Sequence, residues 1–199
     1  MMKNIKYIVL AISLMVAFDG AAQVVDYYST VNYGISVPMG DTRDFISNTS
    51  FRGFSFEFGR FFTEEISVGF LFAWSVFNES FPRDTYEFED LTLTGNLYRY
   101  INAFPLMAMG RYNFSPDSRF RPYVGLASGA YVINKVSDFG VHRYENKNWH
   151  FGLAPEAGLI IGIGTEAYLN LGARYNHAFK SGGDTHSWLS IQTGVTFIY

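Results

Sequence analysis

The sequence predicts an all-β protein, an eight-stranded antiparallel up-and-down transmembrane β-barrel, and three observations lead to this fold class. Eight segments alternate apolar and polar side chains with the period of two that a strand imposes. The connections between these segments are short and long in strict rotation. The chain is also rich in aromatic residues and glycine, with 20 Phe, 14 Tyr and 19 Gly. Beyond its first segment it lacks an uninterrupted apolar run of the ~18 residues that a membrane helix needs.

The first segment has the features of a secretory signal peptide. Lys3 and Lys6 give it a positively charged start, and residues 7–18 form an apolar run shorter than a membrane-spanning helix. Gly20 to Ala22 supply the small residues that a signal peptidase needs. An N-terminal anchor helix is the alternative, but Asp19 interrupts the apolar run early. We therefore predict a signal peptide over residues 1–22.

Composition narrows the class of the remaining chain. The sequence contains no cysteine, so it has neither a disulfide framework nor thiolate chemistry. The formal net charge of −3 becomes −4 once Lys3, Lys6 and Asp19 leave with the signal peptide. An acidic chain of this kind predicts no nucleic-acid partner. Residues 23–199 are the length of a single domain, which we assign to the barrel.

Eight strands follow one another along this domain, each near the ~10 residues that a tilted strand needs to cross a membrane. They are predicted at Thr30–Val37, Gly53–Phe61, Ile66–Phe77, Tyr98–Asn113, Arg121–Ile133, Trp149–Ile163, Ala167–His177 and Ser187–Tyr199.

The first four strands each place large apolar side chains on one face, which we assign to lipid. These residues are Val31, Tyr33, Ile35 and Val37; Phe54, Phe56 and Phe58; Ile66, Val68, Phe70, Phe72, Trp74 and Val76; and Tyr100, Phe104, Leu106 and Tyr112. The fourth strand is the least regular, because Ile101 and Met107 then face the lumen.

The last four strands continue the pattern, with glycine, tyrosine and polar residues on the opposite face. Their lipid-facing residues are Val124, Leu126, Ala130 and Val132; Phe151, Leu153, Ala157, Leu159 and Ile161; Leu169, Leu171, Ala173 and Tyr175; and Val195, Phe197 and Tyr199.

The connections separate into two classes that we assign to the two sides of a membrane. Short turns are predicted at residues 62–65, 115–120 and 163–166, and long polar segments at 38–52, 78–97, 134–148 and 178–186. Short periplasmic turns and longer external loops are the usual arrangement of outer-membrane barrels. The sequence therefore predicts four external loops.

The last eight residues carry a further signal. Gln192 and Gly194 lie on one face of the last strand, while Phe197 and Tyr199 end the other face. This ending resembles the C-terminal signal of bacterial outer-membrane barrels, which the barrel-assembly machinery binds. The resemblance implies that machinery as a partner.

The chain as a whole resembles the small outer-membrane barrels of the OmpA/OmpX-like and OmpW-like porin families. Residues 102–108 and 121–126 resemble the fourth and fifth strands of such proteins from Bacteroidetes-type bacteria. The resemblance implies a location in the outer membrane of a Gram-negative cell, in contact with lipid and lipopolysaccharide. It leaves the partner of the external loops open.

Six charged residues are predicted to face the lumen: Glu57, Arg99, Arg111, Arg121, Glu156 and Arg174. If the turn after the sixth strand is centred on Thr165, residues equidistant from Thr165 face each other. Glu156 and Arg174 then form a cross-strand ion pair, joined by Glu57. Because an unpaired charge in a narrow lumen is costly, such pairs fill and stiffen the barrel. The alternative is a gate in which rearranged pairs, including Arg111, open a water path.

No catalytic residue and no cofactor is predicted, although some small barrels modify lipid A. The segment from Arg174 to His177 resembles a strand of lipid A deacylases. Phe179 stands where such an enzyme needs its nucleophilic serine, while Ser181 and His186 lie on the adjoining loop. An enzyme of this kind is therefore only the second alternative.

No metal site is predicted either. His142, His150, His177 and His186 are expected exposed at the external rim, without the close spacing of zinc ligands. The acidic residues between Glu79 and Asp90 lack the spacing of a calcium loop. Trp74, Trp149 and Trp188 are expected in the girdle at the membrane interface.

The sequence thus favours a non-enzymatic outer-membrane barrel with a side-chain-filled lumen and a structural or surface-interaction role. The first alternative is a narrow channel for small or hydrophobic solutes. Pro105 and Pro155 each remove a backbone donor from a strand, and an apolar cavity that opens near one of them would favour lateral release of a hydrophobic solute.

Overall fold

The computed structural model of the protein describes residues 26–88, 91–139 and 142–199. Eight antiparallel strands close into a barrel in chain order, with β1 paired to both β2 and β8. The strands are β1 (Tyr27–Met39), β2 (Ser50–Phe61), β3 (Ile66–Phe88), β4 (Leu91–Asn113), β5 (Phe120–Asp138), β6 (Arg143–Gly162), β7 (Ala167–Ser181) and β8 (Asp184–Ile198). The predicted fold class is confirmed, whereas the predicted signal peptide lies outside the described residues.

One short helix, α1 (Asp41–Phe45), lies between β1 and β2. In the described part of the chain, no helix has the length and apolar character to cross a membrane.

The alternation of side chains predicted for the strands is confirmed. Along β3, for example, Phe70 is 54% exposed on the outer wall while Leu71 is completely buried in the lumen. Ile101 and Met107 also point inward, at 1% and 2% exposure. The narrow lumen of an eight-stranded barrel is packed like a protein core, so inward positions accept apolar side chains.

The short turns lie where the sequence predicts them, but three of the four long segments are mostly strand. The β3–β4 hairpin continues to the pair of Phe88 and Leu91, and the β5–β6 hairpin to the pair of Asp138 and Arg143. The β7–β8 connection is a tight turn at Gly182 and Gly183, both with positive φ. Hairpins above a membrane have water on both faces, so they pair without the apolar alternation that identifies a membrane-crossing strand in a sequence.

The segment between β1 and β2 is the connection that folds over the barrel. Its α1 helix packs on β8 and β1, and the following Ile46 is completely buried. The barrel therefore has one end with short turns and one end closed by α1.

Candidate functional site

The charged residues at the centre of the lumen form an ionic quartet of Glu57, Arg111, Glu156 and Arg174. The cross-strand register places Glu156 directly opposite Arg174, as predicted. Arg174 Nη2 and Nε lie 2.7 and 2.9 Å from Glu156 Oε2. Arg111 Nη2 lies 2.7 Å from Glu57 Oε2, and the ring is completed by contacts of Arg111 with Glu156 and of Arg174 with Glu57.

The quartet is both dry and neutral. Its four side chains are between 0 and 3% exposed, and its two carboxylates balance its two guanidinium groups. Each arginine bridges both glutamates, so removal of any one member leaves an uncompensated charge. Charge-assisted bonds of this kind are strong, but they must offset the cost of desolvating four ions. The four paired side chains therefore fill the centre of the lumen.

A hydrogen-bonded network extends from the quartet toward the end with short turns. Asn32 donates to Glu57 at 3.3 Å and accepts from Asn170 at 2.8 Å. Tyr123 in turn donates to Asn170 at 3.2 Å. Arg111 stacks on the Tyr123 ring, 4.5 Å from its centroid. Asn32 and Tyr123 therefore contact the quartet directly, and Asn170 joins the two. The sequence did not predict these contacts.

On the other side of the quartet lies a polar belt of Ser36, Ser75, Asn176 and Ser190. Ser36 and Ser190 are 3.0 Å apart, and Asn176 donates to Ser190 at 3.2 Å. The belt borders a void of about 10 Å³. A void of this size holds about one water molecule, so beside the quartet it gives room for a single water and not for a file of them.

Beyond the polar belt the lumen is filled by an apolar plug. Its members are all between 0 and 2% exposed: Ile46, Phe77, Ile101, Tyr131, Ile133 and Trp188. The Trp188 ring meets the Phe77 and Tyr131 rings edge to face at 5.9 and 5.5 Å. Trp188 was predicted in the interface girdle, and this is wrong because the register of β8 turns it into the lumen.

The α1 segment covers the plug. Thr42 Oγ1 accepts a hydrogen bond from the backbone N–H of Ser187 at 2.9 Å. Arg99 donates to the carbonyl of Phe45 at 3.1 Å, and its guanidinium lies 4.8 Å from the centroid of the Phe45 ring. The hydroxyl of Thr185 donates to the Asp41 carboxylate, and this hydrogen bond holds the pKa of Asp41 below its ordinary value.

Two of the six charged residues predicted in the lumen lie outside the quartet. Arg99 reaches the α1 segment, as described above. Arg121 lies near the short-turn end, where its guanidinium is 4.8 Å from the Tyr168 ring centroid and its Nε donates to the carbonyl of Ser118. The register sets Arg99 opposite Ser137 and Arg121 opposite Ile160, whereas Glu156 lies opposite Gly125.

Of the four histidines predicted to be exposed at the external rim, His142 is exposed and His177 is half-buried, and the prediction is wrong for the other two. His150 and His186 are buried at 2% and 4% exposure, and their rings lie 5.2 Å apart. His177 contacts Ser187 on the outer side of the barrel, with 2.8 Å between Nδ1 and Oγ. Among the described residues no three acidic or histidine side chains converge as metal ligands would.

The C-terminal pattern has distinct surroundings on its two faces. Gln192 is buried in the lumen, while Phe197 and Tyr199 are 47% and 65% exposed on the outer wall. Gly194 lies so close to β1 that an added Cβ would be 2.7 Å from Asn32 Cα. The assembly role of this pattern stays a prediction.

Comparison with known proteins supports the architecture. The profile of the family described as "Outer membrane protein beta-barrel domain" matches residues 7–197. A comparison with curated proteins found no sequence match.

Three solved structures illustrate the similarity in fold. Ail, the attachment invasion locus protein of Yersinia pestis, has a TM-score of 0.54 at 13% identity, over 87% of this chain and 98% of its own. OprG of Pseudomonas aeruginosa has 0.53 at 15% identity, over 87% and 95%. Neisserial surface protein A has 0.51 at 16% identity, over 90% and 99%. At these identities the similarity is one of fold.

Proposed function

Because the chain belongs to the outer membrane protein beta-barrel domain family, we propose that it is a non-enzymatic barrel with a structural and surface-interaction role. Its filled lumen braces the outer membrane, and its external end presents a surface to a partner. The observation that carries the proposal is that three layers of side chains fill the lumen one after another: the ionic quartet, the polar belt and the apolar plug. A conducting pore needs a continuous path, and this lumen is packed with side chains.

The external surface supports the second half of the proposal. Long connections lie on the external side of outer-membrane barrels, which places α1 and the extended β3–β4 and β5–β6 hairpins outside the cell. Tyr144 in the β5–β6 hairpin is 71% exposed. Exposed aromatic residues are common anchors of protein interfaces. Ail, which has this fold, was crystallised with the heparin analogue sucrose octasulfate, so a barrel of this fold is compatible with ligand binding.

The pair of His177 and Ser187 is the strongest argument for an enzyme. A serine nucleophile needs a base within hydrogen-bond reach, which His177 provides, and a third group that orients the base. Here the rings of Tyr175 and Phe179 contact His177 instead, at 6.4 and 4.8 Å between centroids. A hydrogen bond that holds an interface histidine in place explains this pair without catalysis.

A narrow channel is the second candidate, and a specific feature favours it. Pairing between β3 and β4 skips from Phe72 and Leu106 to Ser75 and Ala103, on either side of Pro105. Pro105 also borders the 10 Å³ void. A wall with a missing backbone donor is the place where a solute would leave sideways. The present void is too small for any solute larger than water.

Single-channel conductance in a planar bilayer separates the two candidates. We expect silence from the refolded wild type and from Glu156→Ala. The matched control is Glu145→Ala, because Glu145 lies exposed in the external β5–β6 hairpin. Steady conductance of the wild type that changes in Glu156→Ala, but not in Glu145→Ala, would overturn the structural proposal and make the quartet a gate.

A further inference from the structure

A groove of about 460 Å³ interrupts the lipid-facing wall across β1, β8, β7 and β6. The strand register arranges its outward residues in two neighbouring rows. One row is Ile35, Ile191, Ala173 and Ala157, and the other is Tyr33, Thr193, Leu171 and Leu159.

The groove exists because small side chains are surrounded by large ones. Ala157, Ala173 and Thr193 form its floor, while Tyr33 and Ile191 stand above it at 48% and 53% exposure. The opposite wall is different, since large aromatic side chains cover β2 and β3. There Phe58 stacks against Phe56 and Phe70 at 6.2 and 5.5 Å. Small side chains on β6, β7 and β8 therefore make the depression, whereas large ones cover β2 and β3.

Depth in the membrane limits what can enter the groove. Tyr33 is the middle residue of β1 (Tyr27–Met39), so the groove lies halfway along the strand. At that depth an outer-membrane barrel is surrounded by lipid hydrocarbon. The volume is within the range of ~300–1,000 Å³ that is usual for small-molecule sites. The groove is thus continuous with the lipid interface but deeper than its surroundings.

We propose that the groove is a binding site for one acyl chain of a glycerophospholipid with a primary ammonium headgroup. Charge at the short-turn end supports this headgroup, because Asp26 and Glu166 are exposed just before β1 and β7, two strands that line the groove. The opposite ends of two groove strands carry exposed cations, Lys147 in β6 and Lys180 in β7, so retention of lipopolysaccharide in place of phosphatidylethanolamine is an outcome of the test that would overturn this assignment. A second copy fits less well, because a two-fold interface requires a self-complementary surface and two depressions do not fill each other.

Native mass spectrometry tests the site on the full barrel, refolded in detergent with phosphatidylethanolamine as the probe. We expect the wild type to retain one lipid molecule through detergent removal. Ala173→Phe fills the floor and should abolish retention. Ala130→Phe is the matched control, because Ala130 is also predicted on the lipid face but does not line the groove. Heat-modifiable migration on a gel verifies that each variant is folded.

Besides retention of lipopolysaccharide, four results would overturn the proposal. Two of them are equal retention by Ala173→Phe and Ala130→Phe, and no retention by the wild type. The third uses cysteine variants, since the chain has no native cysteine. If Ala173→Cys forms a disulfide-linked dimer in bilayers and Ala130→Cys does not, the groove belongs to a second copy. The fourth is equal retention of phosphatidylglycerol and phosphatidylethanolamine, which would contradict the headgroup assignment.

Discussion

The ionic quartet and the apolar plug close the same narrow lumen by opposite means. Both are dry, with side chains between 0 and 3% exposed in the quartet and residues between 0 and 2% exposed in the plug. Burial of each plug side chain stabilises the fold separately. Removing a few atoms from one of them should therefore lower the free energy of unfolding in proportion to the atoms removed. The quartet stabilises the fold only when all four charges are paired, because a buried ion that has lost its partner still carries the full cost of desolvation. The comparison teaches that equal burial does not mean equal tolerance of change.

The largest expected effect follows from removal of one cation of the quartet. Arg174→Leu leaves Glu57 and Glu156 to share Arg111, and we expect a loss of about 3–5 kcal/mol in the free energy of unfolding. Urea unfolding in lipid vesicles, followed by tryptophan fluorescence, measures it. The double variant Glu156→Leu/Arg174→Leu keeps the pair of Glu57 and Arg111 and should recover most of the loss. A double variant less stable than Arg174→Leu would refute the pairing argument.

A smaller effect is expected from crowding the quartet without removing a charge. Gly125 lies beside it, and an added Cβ would be 2.9 Å from both Arg111 Cγ and Glu156 Oε1. Gly125→Ala should therefore lower the free energy of unfolding by about 1–3 kcal/mol, the usual cost of overpacking. The same urea titration measures it. Gly110→Ala is the control, since its nearest neighbour would be 4.0 Å away. Equal losses in the two variants would show that the quartet tolerates displacement.

The smallest effect is expected in the plug. Ile101 is 1% exposed, and Ile101→Val removes one methylene group there. We expect a loss of about 0.5–1.5 kcal/mol in the free energy of unfolding. Leu106→Val on the lipid face, where Leu106 is 58% exposed, creates no internal cavity and should cost less. If Ile101→Val lowered the free energy of unfolding as much as Arg174→Leu, the plug and the quartet would not differ in their tolerance of substitution.

Much of the fold follows from side-chain alternation, because a barrel has only two environments and each residue faces one of them. The pair of Glu156 and Arg174 was predictable for the same reason, since a short turn fixes the register of the strands that it joins. The extended hairpins were not predictable in this way, because water on both faces leaves no alternation. Trp188 was misplaced since an aromatic residue near a strand end suits either the girdle or the plug.

By itself the sequence determined the strand order, the lipid-facing residues, the short turns and the charges available to the lumen. These depend on local periodicity and chain connectivity, which any single sequence contains. Only the tertiary structure decided that Arg111 closes the ring with Glu156, Arg174 and the predicted Glu57, that α1 covers the plug, and that small residues of neighbouring strands align into a groove. Those features depend on the closure of β1 onto β8 and on side chains far apart in the chain, which local patterns do not specify.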